Sequence, residues 1–531
     1  MSPIAEIDLD PDRPARSVPD AGAATLVVLD RGDSDDALLA RVTRDAAVPG
    51  WAVLRARPPR AAAAAVALDL GDADDVPAGP EPWRLRVGPL SLAAALSGRF
   101  ALCSVWHRRP FAVSVRLERG RADRGGVETI ARATIGTTGG LADLRERVVA
   151  TAARLVRQCL ADPAGVAIAD AGDAAAPVQP RADGVAAFVG GWLRWRAARW
   201  RARLCQEWWT VGVCAQPIQA VLSQGRLGPV DWLRPRPGAT FWADPFAWPG
   251  TDRILCEECP AGDAHDAGAG VGVIAALRPT PGGGWERDTV LLGGALHRSY
   301  PCVHAEGGET YLVPECLGAG AVSVLRLDPM GRTEVVATVT DRPLADPTLF
   351  RHGGRAWLAG TDVAIGEHDN LCLFHADAVA GPWHPHRRNP VKLDIRSSRP
   401  AGTPFEHDGR LFRPAQDCAG SYGAAIVINE VTSLTPDRFS ERPVARLTPE
   451  PRGPLPDGLH TLSAAGPRTL VDGKRLVWRP GRALRRGARR LLRGATGAAT
   501  TAVSRAATMT RDVTRDPGSR RVRPAAPGWS P

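Results

Sequence analysis

VHAEGGETYLVPE, residues Val303–Glu315, decides the fold, because its pattern returns four more times. An apolar residue leads, a glycine turn follows, and an aromatic or aliphatic strand comes after. The other copies are Phe246–Glu258 (FAWPGTDRILCEE), Phe350–Thr361 (FRHGGRAWLAGT), Phe405–Asp417 (FEHDGRLFRPAQD) and Leu470–Arg479 (LVDGKRLVWR). GG and DG turns tolerate the positive φ that two-residue hairpins require. Turn glycines at 250, 308, 354, 409 and 473 are 58, 46, 55 and 64 residues apart, a period that suits a four-stranded propeller blade with loop insertions. Five copies predict a five-bladed β-propeller over residues 207–480. A β-sandwich would not restate one hairpin five times.

Polar motifs precede these hairpins: Trp242-Ala243-Asp244-Pro245, Ser299-Tyr300-Pro301, Ala345-Asp346-Pro347, Ser398-Arg399-Pro400 and Leu459-His460-Thr461. The innermost strand of each blade lines the channel, so equivalent positions converge there. Asp244, Tyr300, Asp346, Arg399 and His460 are therefore expected to ring one funnel, and the hairpin ends add Glu257, Glu258, Glu315, Gln416 and Asp417. Chemistry at a glycosidic bond needs one protonated and one ionised carboxyl. Asp244 is the candidate base or nucleophile, Glu315 the candidate acid, and Asp346 a group that tunes Glu315. Glu258, Tyr300, Arg399, Gln416, Asp417 and His460 are candidate ligand contacts, with Tyr300 suited to stacking on a sugar ring. Each also has a structural reading. Asp-Pro commonly opens a turn, Arg399 can pair with Asp346 or Asp417, and His460 can be a satisfied channel histidine.

The ordered motifs ADPF, EE (257–258), SYP with PE (314–315), ADPTLF, RPAG, RPAQDC, YG (422–423) and LHTL closely resemble the N-terminal propeller domain of glucosamine inositolphosphorylceramide transferase-like proteins. That domain is related to the five-bladed propellers of arabinanases, levansucrases and invertases. The resemblance spans about residues 205–480 and implies a carbohydrate-linked function in making or modifying a glycolipid or surface polysaccharide. Those glycosidases take three acids from equivalent positions of the first three blades, whereas here the second blade offers Tyr300.

Residues 23–165 read as a small α/β unit. Strands are expected at Thr25–Asp30, Trp51–Arg57, Ala65–Leu70 and Trp83–Val87, with a helix from Ser34 through Asp45. Ala101–His107 and Phe111–Leu117 are expected to pair as a hairpin. A closing helix begins at Leu141, where Leu144, Val148, Ala152, Leu155 and Cys159 recur at helical spacing. TLVVLD, ALDLGD, PWRLRVG and this helix resemble a formyltransferase-like domain. Residues 1–200 hold one histidine, His107, and no asparagine, so the Asn of that family's chemistry has no counterpart and the resemblance implies an inactive copy. Residues 1–22 are expected to be disordered and 166–206 to be a linker with a helix rich in Trp and Arg over Gly184–Trp209. That helix either lies on an anionic membrane or packs its tryptophans on the propeller.

The net charge of +10 belongs to the C-terminal segment. From Lys474 onward fifteen Lys and Arg face Asp512 and Asp516, a balance of +13, leaving −3 for the first 473 residues. The folded body therefore offers no basic face for nucleic acid. Residues 481–531 read as a basic tail, either solvated or touching an anionic membrane surface. Cys256 and Cys259 form a lone C-x-x-C with no second pair, so they read as buried small hydrophobes rather than a metal site. No motif calls for a cofactor. No secretory signal is visible, which points to the cytoplasm, with membrane contact through the tail. Two functions stay open: an enzyme acting on a sugar, glycan or glycolipid precursor, and a non-catalytic propeller scaffold in a biosynthetic complex.

Overall fold

The computed structural model describes residues 24–29, 41–42, 44–46, 51–56, 66–69, 83–88, 90–97, 112–121, 126–136 and 141–161, scattered positions between 189 and 201, and then 204–235, 240–260 and 271–479. The described part is mostly β-structure, dominated by five four-stranded antiparallel sheets. Sheet I comprises Thr240–Ala247, Ile254–Pro260, Val273–Pro279 and Trp285–Leu292. Sheet II comprises Ser299–Glu306, Glu309–Glu315, Val322–Leu327 and Thr333–Thr340. Sheet III holds Leu344–His352, Arg355–Asp362, Cys372–Ala376 and His384–Pro385. Sheet IV holds Phe405–His407, Arg410–Asp417, Ala425–Leu434 and Phe439–Leu447. Sheet V joins two distant parts of the chain: Leu462–Ala465 and Arg468–Trp478 pair onward to Cys205–Cys214 and Val230–Trp232. This clasp ties residues that precede sheet I to residues that follow sheet IV.

Four of the five expected hairpins form where the sequence places them, with left-handed turn glycines at 250, 308, 354 and 409. The fifth does not. Leu470–Arg479 contains no turn: Arg468–Trp478 is one strand, and the left-handed glycine is Gly466. Gly473 instead sits where a Cβ would come within 2.7 Å of Leu455 and Trp232. Its lack of a side chain serves close packing inside the strand.

The first strands of sheets I, II and III share an irregularity. Their ladders slip at Ala243/Phe246, Ser299/Cys302 and Ala345/Thr348. In each slip one non-glycine residue is left-handed: Asp244 at φ 53°, Tyr300 at 45° and Asp346 at 50°. The next residue is proline, which has no N–H for the ladder, so the strand bulges there.

The N-terminal residues form a seven-stranded sheet. Trp51–Ala56, Ala24–Leu29, Val66–Asp69 and Trp83–Val87 lie parallel in that spatial order. Ala112–Arg121 then pairs antiparallel with Trp83–Val87 and with Gly126–Gly136. The described part of the Phe111–Leu117 run thus has Trp83–Val87 and Gly126–Gly136 as its neighbours, and the expected partner Ala101–His107 lies outside the described residues. Helix Leu141–Ala161 buries Leu144, Val148, Ala152, Leu155 and Cys159 in the same apolar core as Val113, Val115, Leu117 and Ile135. Leu393, from the connection between sheets III and IV, belongs to that core too. Thr134 N–H donates to Leu393 O at 2.8 Å and Ile395 N–H to Thr134 O at 2.8 Å. Residues 393–395 therefore extend the N-terminal sheet by its edge, and this sheet and the five others share one compact unit.

Of the Gly184–Trp209 segment, the described Trp200 is 52% exposed. Trp208 and Trp209 are not helical, since a strand begins at Cys205. The described residues among 198–206 and 477–479 group as a second unit, in which Arg479 N–H donates to Leu204 O at 2.7 Å. No described helix is long and apolar enough to cross a membrane. The tail readings for 481–531 and the expectation for 1–22 lie outside the described residues.

Gly402 is the tightest backbone approach between sheets IV and V. It has φ 104°, and a Cβ there would lie 2.1 Å from Leu462 O. Gly402→Ala is expected to lower unfolding free energy by about 3 kcal/mol or more, read from the urea midpoint. Gly466→Ala, at φ 63° with open space around it, is expected to cost only about 1 to 2 kcal/mol. Equal shifts in the two variants would refute the close approach.

Candidate functional site

Two of the three bulges turn a carboxylate inward. Asp244 and Asp346 are almost fully buried. Burial, reinforced by neighbouring acids, raises both carboxyls to about 6, against the pull of His460 on Asp244 and of Arg399 on Asp346. Each bulge is capped by a carboxylate from the second strand of an adjacent sheet. Asp346 N–H donates to Glu315 Oε2 at 2.9 Å. Asp244 N–H donates to Asp472 Oδ2 at 3.0 Å.

Asp472 accepts more than that. Its Oδ1 takes the N–H groups of His460 and Thr461, both at 3.0 Å, and His460 Nδ1 lies 2.5 Å from Oδ2. Thr461 Oγ1 donates to Asp244 Oδ1 at 2.6 Å. Burial works against an imidazolium at His460, but Asp472 and Asp244 outweigh it and hold its pKa above the ordinary value. Asp244, His460 and Asp472 offer ligand atoms within 4.8 Å of one another, the one such grouping among the described residues. These atoms are already engaged with each other and with backbone N–H groups.

Glu257 joins this set from sheet I. Burial, then the charges of Asp244, Glu315 and Asp346, push its carboxyl well above the usual range. Aromatic and cationic groups flank the acids. Trp209 stacks on His460 with ring centres 3.9 Å apart. The Tyr422 ring lies 5.3 Å from His460 and 5.1 Å from the Arg399 guanidinium. Buried Lys474 donates to Tyr422 O and lies 5.2 Å from the Trp209 ring.

The structure brings together Asp244, Glu315, Asp346, Arg399, Gln416 and His460. Arg399 is spent on the protein itself. Its Nε and Nη2 donate to the two oxygens of Asp346 at 2.5 and 3.1 Å, and its Nη1 donates to Glu367 O at 2.8 Å. Gln416 Nε2 likewise donates to Asp346 Oδ2 at 2.6 Å. Both residues position Asp346.

Three expected contacts fall elsewhere. Glu258 accepts from Trp242 Nε1 at 3.1 Å and Arg287 Nη1 at 2.6 Å. Asp417 accepts from Arg446 Nε at 3.0 Å. In both cases strand alternation sends the neighbour, Glu257 or Gln416, to the cluster and the named residue toward the outermost strand. Tyr300 is 0% exposed, in an apolar cluster with Phe246 and Val313, so it has no face for a sugar. Its hydroxyl accepts from Gly402 N–H at 2.6 Å and donates to Thr348 Oγ1 at 2.8 Å, and Thr348 Oγ1 donates to Asp346 O at 3.0 Å. Tyr300 is a strut under the Asp346 bulge.

Glu315 differs from its expected role in its contacts. It accepts the Asp346 N–H and lies 3.9 Å from Arg399, and Glu257 carries the strongly raised carboxyl. Asp472, Thr461 and Trp209 were not among the expected site residues. Asp472 sits on the second strand of its sheet, as Glu315 does, but the Asp-Gly pair that follows Val471 imitates a turn. Cys256 and Cys259, expected as small buried hydrophobes, are both buried on the strand of Glu257.

Residues 238–452 match the family model described as glucosamine inositolphosphorylceramide transferase 1, N-terminal. A protein named glucosamine inositolphosphorylceramide transferase 1 from Arabidopsis thaliana is 29% identical over 212 residues, 38% of this chain and 27% of that protein. Its namesake from Oryza sativa subsp. japonica is 30% identical over 214 residues, 39% of this chain and 28% of that protein. The chain thus spans little more than a quarter of these relatives. Among solved structures, a family 117 glycoside hydrolase from Zobellia galactanivorans aligns at 12% identity and TM-score 0.34, over 51% of this chain and 91% of that one. An exo-β-1,3-galactanase from Phanerochaete chrysosporium aligns at 13% identity and TM-score 0.30, over 40% and 53%.

The raised Asp244 carboxyl fixes a sign for stability against pH. Its folded pKa of about 6 lies above the ordinary value of 3.8, so the folded state holds the proton longer than the unfolded state. The stability this contributes is present below pH 4 and lost as pH rises through about 6. Asp244→Asn, which cannot ionise, is expected to gain on the wild type by up to about 3 kcal/mol between pH 4 and pH 7, measured by urea unfolding at each pH. A pH-independent difference would sink the assignment.

Proposed function

We propose that the five sheets are the blades of a five-bladed β-propeller over residues 207–480, and that its carboxylate cluster binds the hydroxyl groups of a sugar or glycolipid head group. The observation that carries this reading is the convergence of Asp244, Asp346, Glu257, Glu315 and His460, from three sheets and the segment leading into sheet V, into one buried set. Their contacts with one another and the adjoining rings of Trp209 and Tyr422 suit a neutral polyol, which needs hydrogen-bond acceptors and an apolar ring face. The strut through Tyr300 and the Arg399 and Gln416 donors spend several polar groups on holding Asp346 still, as a preorganised site requires. The matched relatives, named glucosamine inositolphosphorylceramide transferase 1, support the same ligand class. On this reading the chain acts in surface-polysaccharide or glycolipid biosynthesis, with residues 23–165 as an α/β module beside the propeller.

One observation favours a second reading, glycosyl transfer or hydrolysis in the same site. Glu257, raised well above the usual carboxylate range, is poised as a proton donor, whereas Asp244 at about 6 is largely ionised at neutral pH. That division of labour is what cleavage of a glycosidic bond needs. Glu257 then replaces Glu315 as the acid, and Asp244 keeps the role of base or nucleophile.

Calorimetric titration of the full chain with a panel of methyl glycosides tests binding. Asp244→Asn and Glu257→Gln are each expected to weaken the best ligand at least tenfold while the far-ultraviolet circular dichroism stays unchanged. A wild type that binds no member of the panel refutes the reading. Turnover of glycosides or nucleotide sugars that Glu257→Gln abolishes would establish the catalytic form.

A further inference from the structure

Next to the carboxylate cluster lies a cavity of about 500 Å³, a size typical of small-molecule sites. One wall is the N-terminal helix Leu141–Ala161, through Arg147, Thr151 and Arg154. The other is formed by loops of sheets III and IV, through Glu367, His368 and Tyr422. We propose that this cavity is a second sugar subsite, so that the ligand is an oligosaccharide or glycoside whose second ring rests against the α/β unit. The inference builds on the reading of the carboxylate cluster as the first sugar site.

Continuity is the first argument. The cavity and the cluster share a wall. Arg399, which holds Asp346, lies 3.2 Å from His368 Nδ1 and 5.1 Å from the Tyr422 ring. Tyr422 in turn meets the His460 ring edge-on at 5.3 Å.

Charge decides which ligand class fits. Arg41, Arg147 and Arg154 face four acids, Asp143, Glu146, Glu367 and Asp369, across the lining. Arg41 pairs with Glu146, and Arg147 pairs with buried Asp369. Burial, with Arg399 and Arg147 nearby, drops His368 to about 3, so it adds no positive charge at neutral pH. A lining this balanced selects neither a polyanion nor a phosphate. What remains is hydrogen-bonding capacity. Among the described residues Arg154 makes no ion pair or hydrogen bond, and burial beside Arg157 pulls its pKa down. Its guanidinium is therefore partly desolvated with donors to offer. Across the cavity Glu367 presents a carboxylate that is 68% exposed. A fork of donors, a facing acceptor and a half-buried tyrosine ring form a set suited to adjacent hydroxyls on a sugar ring.

Calorimetry on the full chain tests the subsite. The probes are the methyl glycosides of glucose, galactose, mannose, N-acetylglucosamine and arabinose, followed by disaccharides built on whichever binds. The disaccharide is expected to bind at least tenfold more tightly than its monosaccharide. Arg154→Ala and Glu367→Ala are each expected to remove that advantage and leave monosaccharide affinity within twofold. Glu367 is mostly exposed, so its variant carries the test if Arg154→Ala fails to fold. A disaccharide no tighter than the monosaccharide, or an advantage that survives Glu367→Ala, overturns the subsite alone. Absence of monosaccharide binding in the wild type overturns the cluster reading and the subsite with it.

Discussion

A carboxylate on the second strand of one sheet accepts the N–H of a left-handed residue on the first strand of the neighbouring sheet. Glu315 does this for Asp346, and Asp472 does it for Asp244. The left-handed conformation of a non-glycine residue is unfavourable by itself, so it persists only where surrounding contacts outweigh its cost. Here those contacts run between sheets. The same hydrogen bond therefore shapes the strand, joins two sheets and aims the Asp side chain at the cluster. Without the cap, proline would still break the ladder, but nothing would specify where the preceding side chain points.

Electrostatics follow from that geometry. Aiming several acids into one buried volume raises their pKa values, because each ionised form loses water and meets like charge. The protein offsets part of this with Arg399 on Asp346 and with His460 between Asp244 and Asp472. Glu257 has the imidazole of His297 at 3.3 Å rather than a guanidinium, and burial with the neighbouring acids pushes its carboxyl well above the usual range. The adjoining network of Lys392, Arg413 and Glu441 shows the contrasting solution. There two cations serve one buried acid, at 2.7 and 2.6 Å, and burial is overcome so that its pKa falls. One buried network is charge-compensated, whereas the other holds an excess of acid.

The α/β sheet acquires its place in this scheme through residues 393–395. By extending an edge strand and adding Leu393 to the helix-covered core, they make the N-terminal sheet continuous with the sheets that carry the cluster. The edge that would otherwise be open for pairing is covered, and helix Leu141–Ala161 is presented to the loops of sheets III and IV.

Repetition made much of this legible in the chain itself. Four hairpins, their turn glycines, the Asp-Pro and Tyr-Pro positions and the helix at Leu141 all follow from local rules: the φ that glycine tolerates, the N–H that proline lacks, and the spacing of apolar residues. Local rules failed where two structures share one local signature. Asp472-Gly473 looks like a turn but lies in a strand, because Trp232 and Leu455 approach too closely for any Cβ at Gly473. Glu257 and Glu258, or Gln416 and Asp417, cannot be ranked along the chain, since only the direction of the pleat says which one faces the cluster. Tyr300 occupies the same bulge as two aspartates, yet its ring is longer and reaches into the apolar space between sheets, where its hydroxyl accepts from Gly402 N–H and donates to Thr348 Oγ1. The sequence by itself determined that a hairpin recurs with an acid or tyrosine before proline. Only the tertiary structure decided which of those side chains meet, because that depends on contacts between residues as far apart as Asp244 and Asp472.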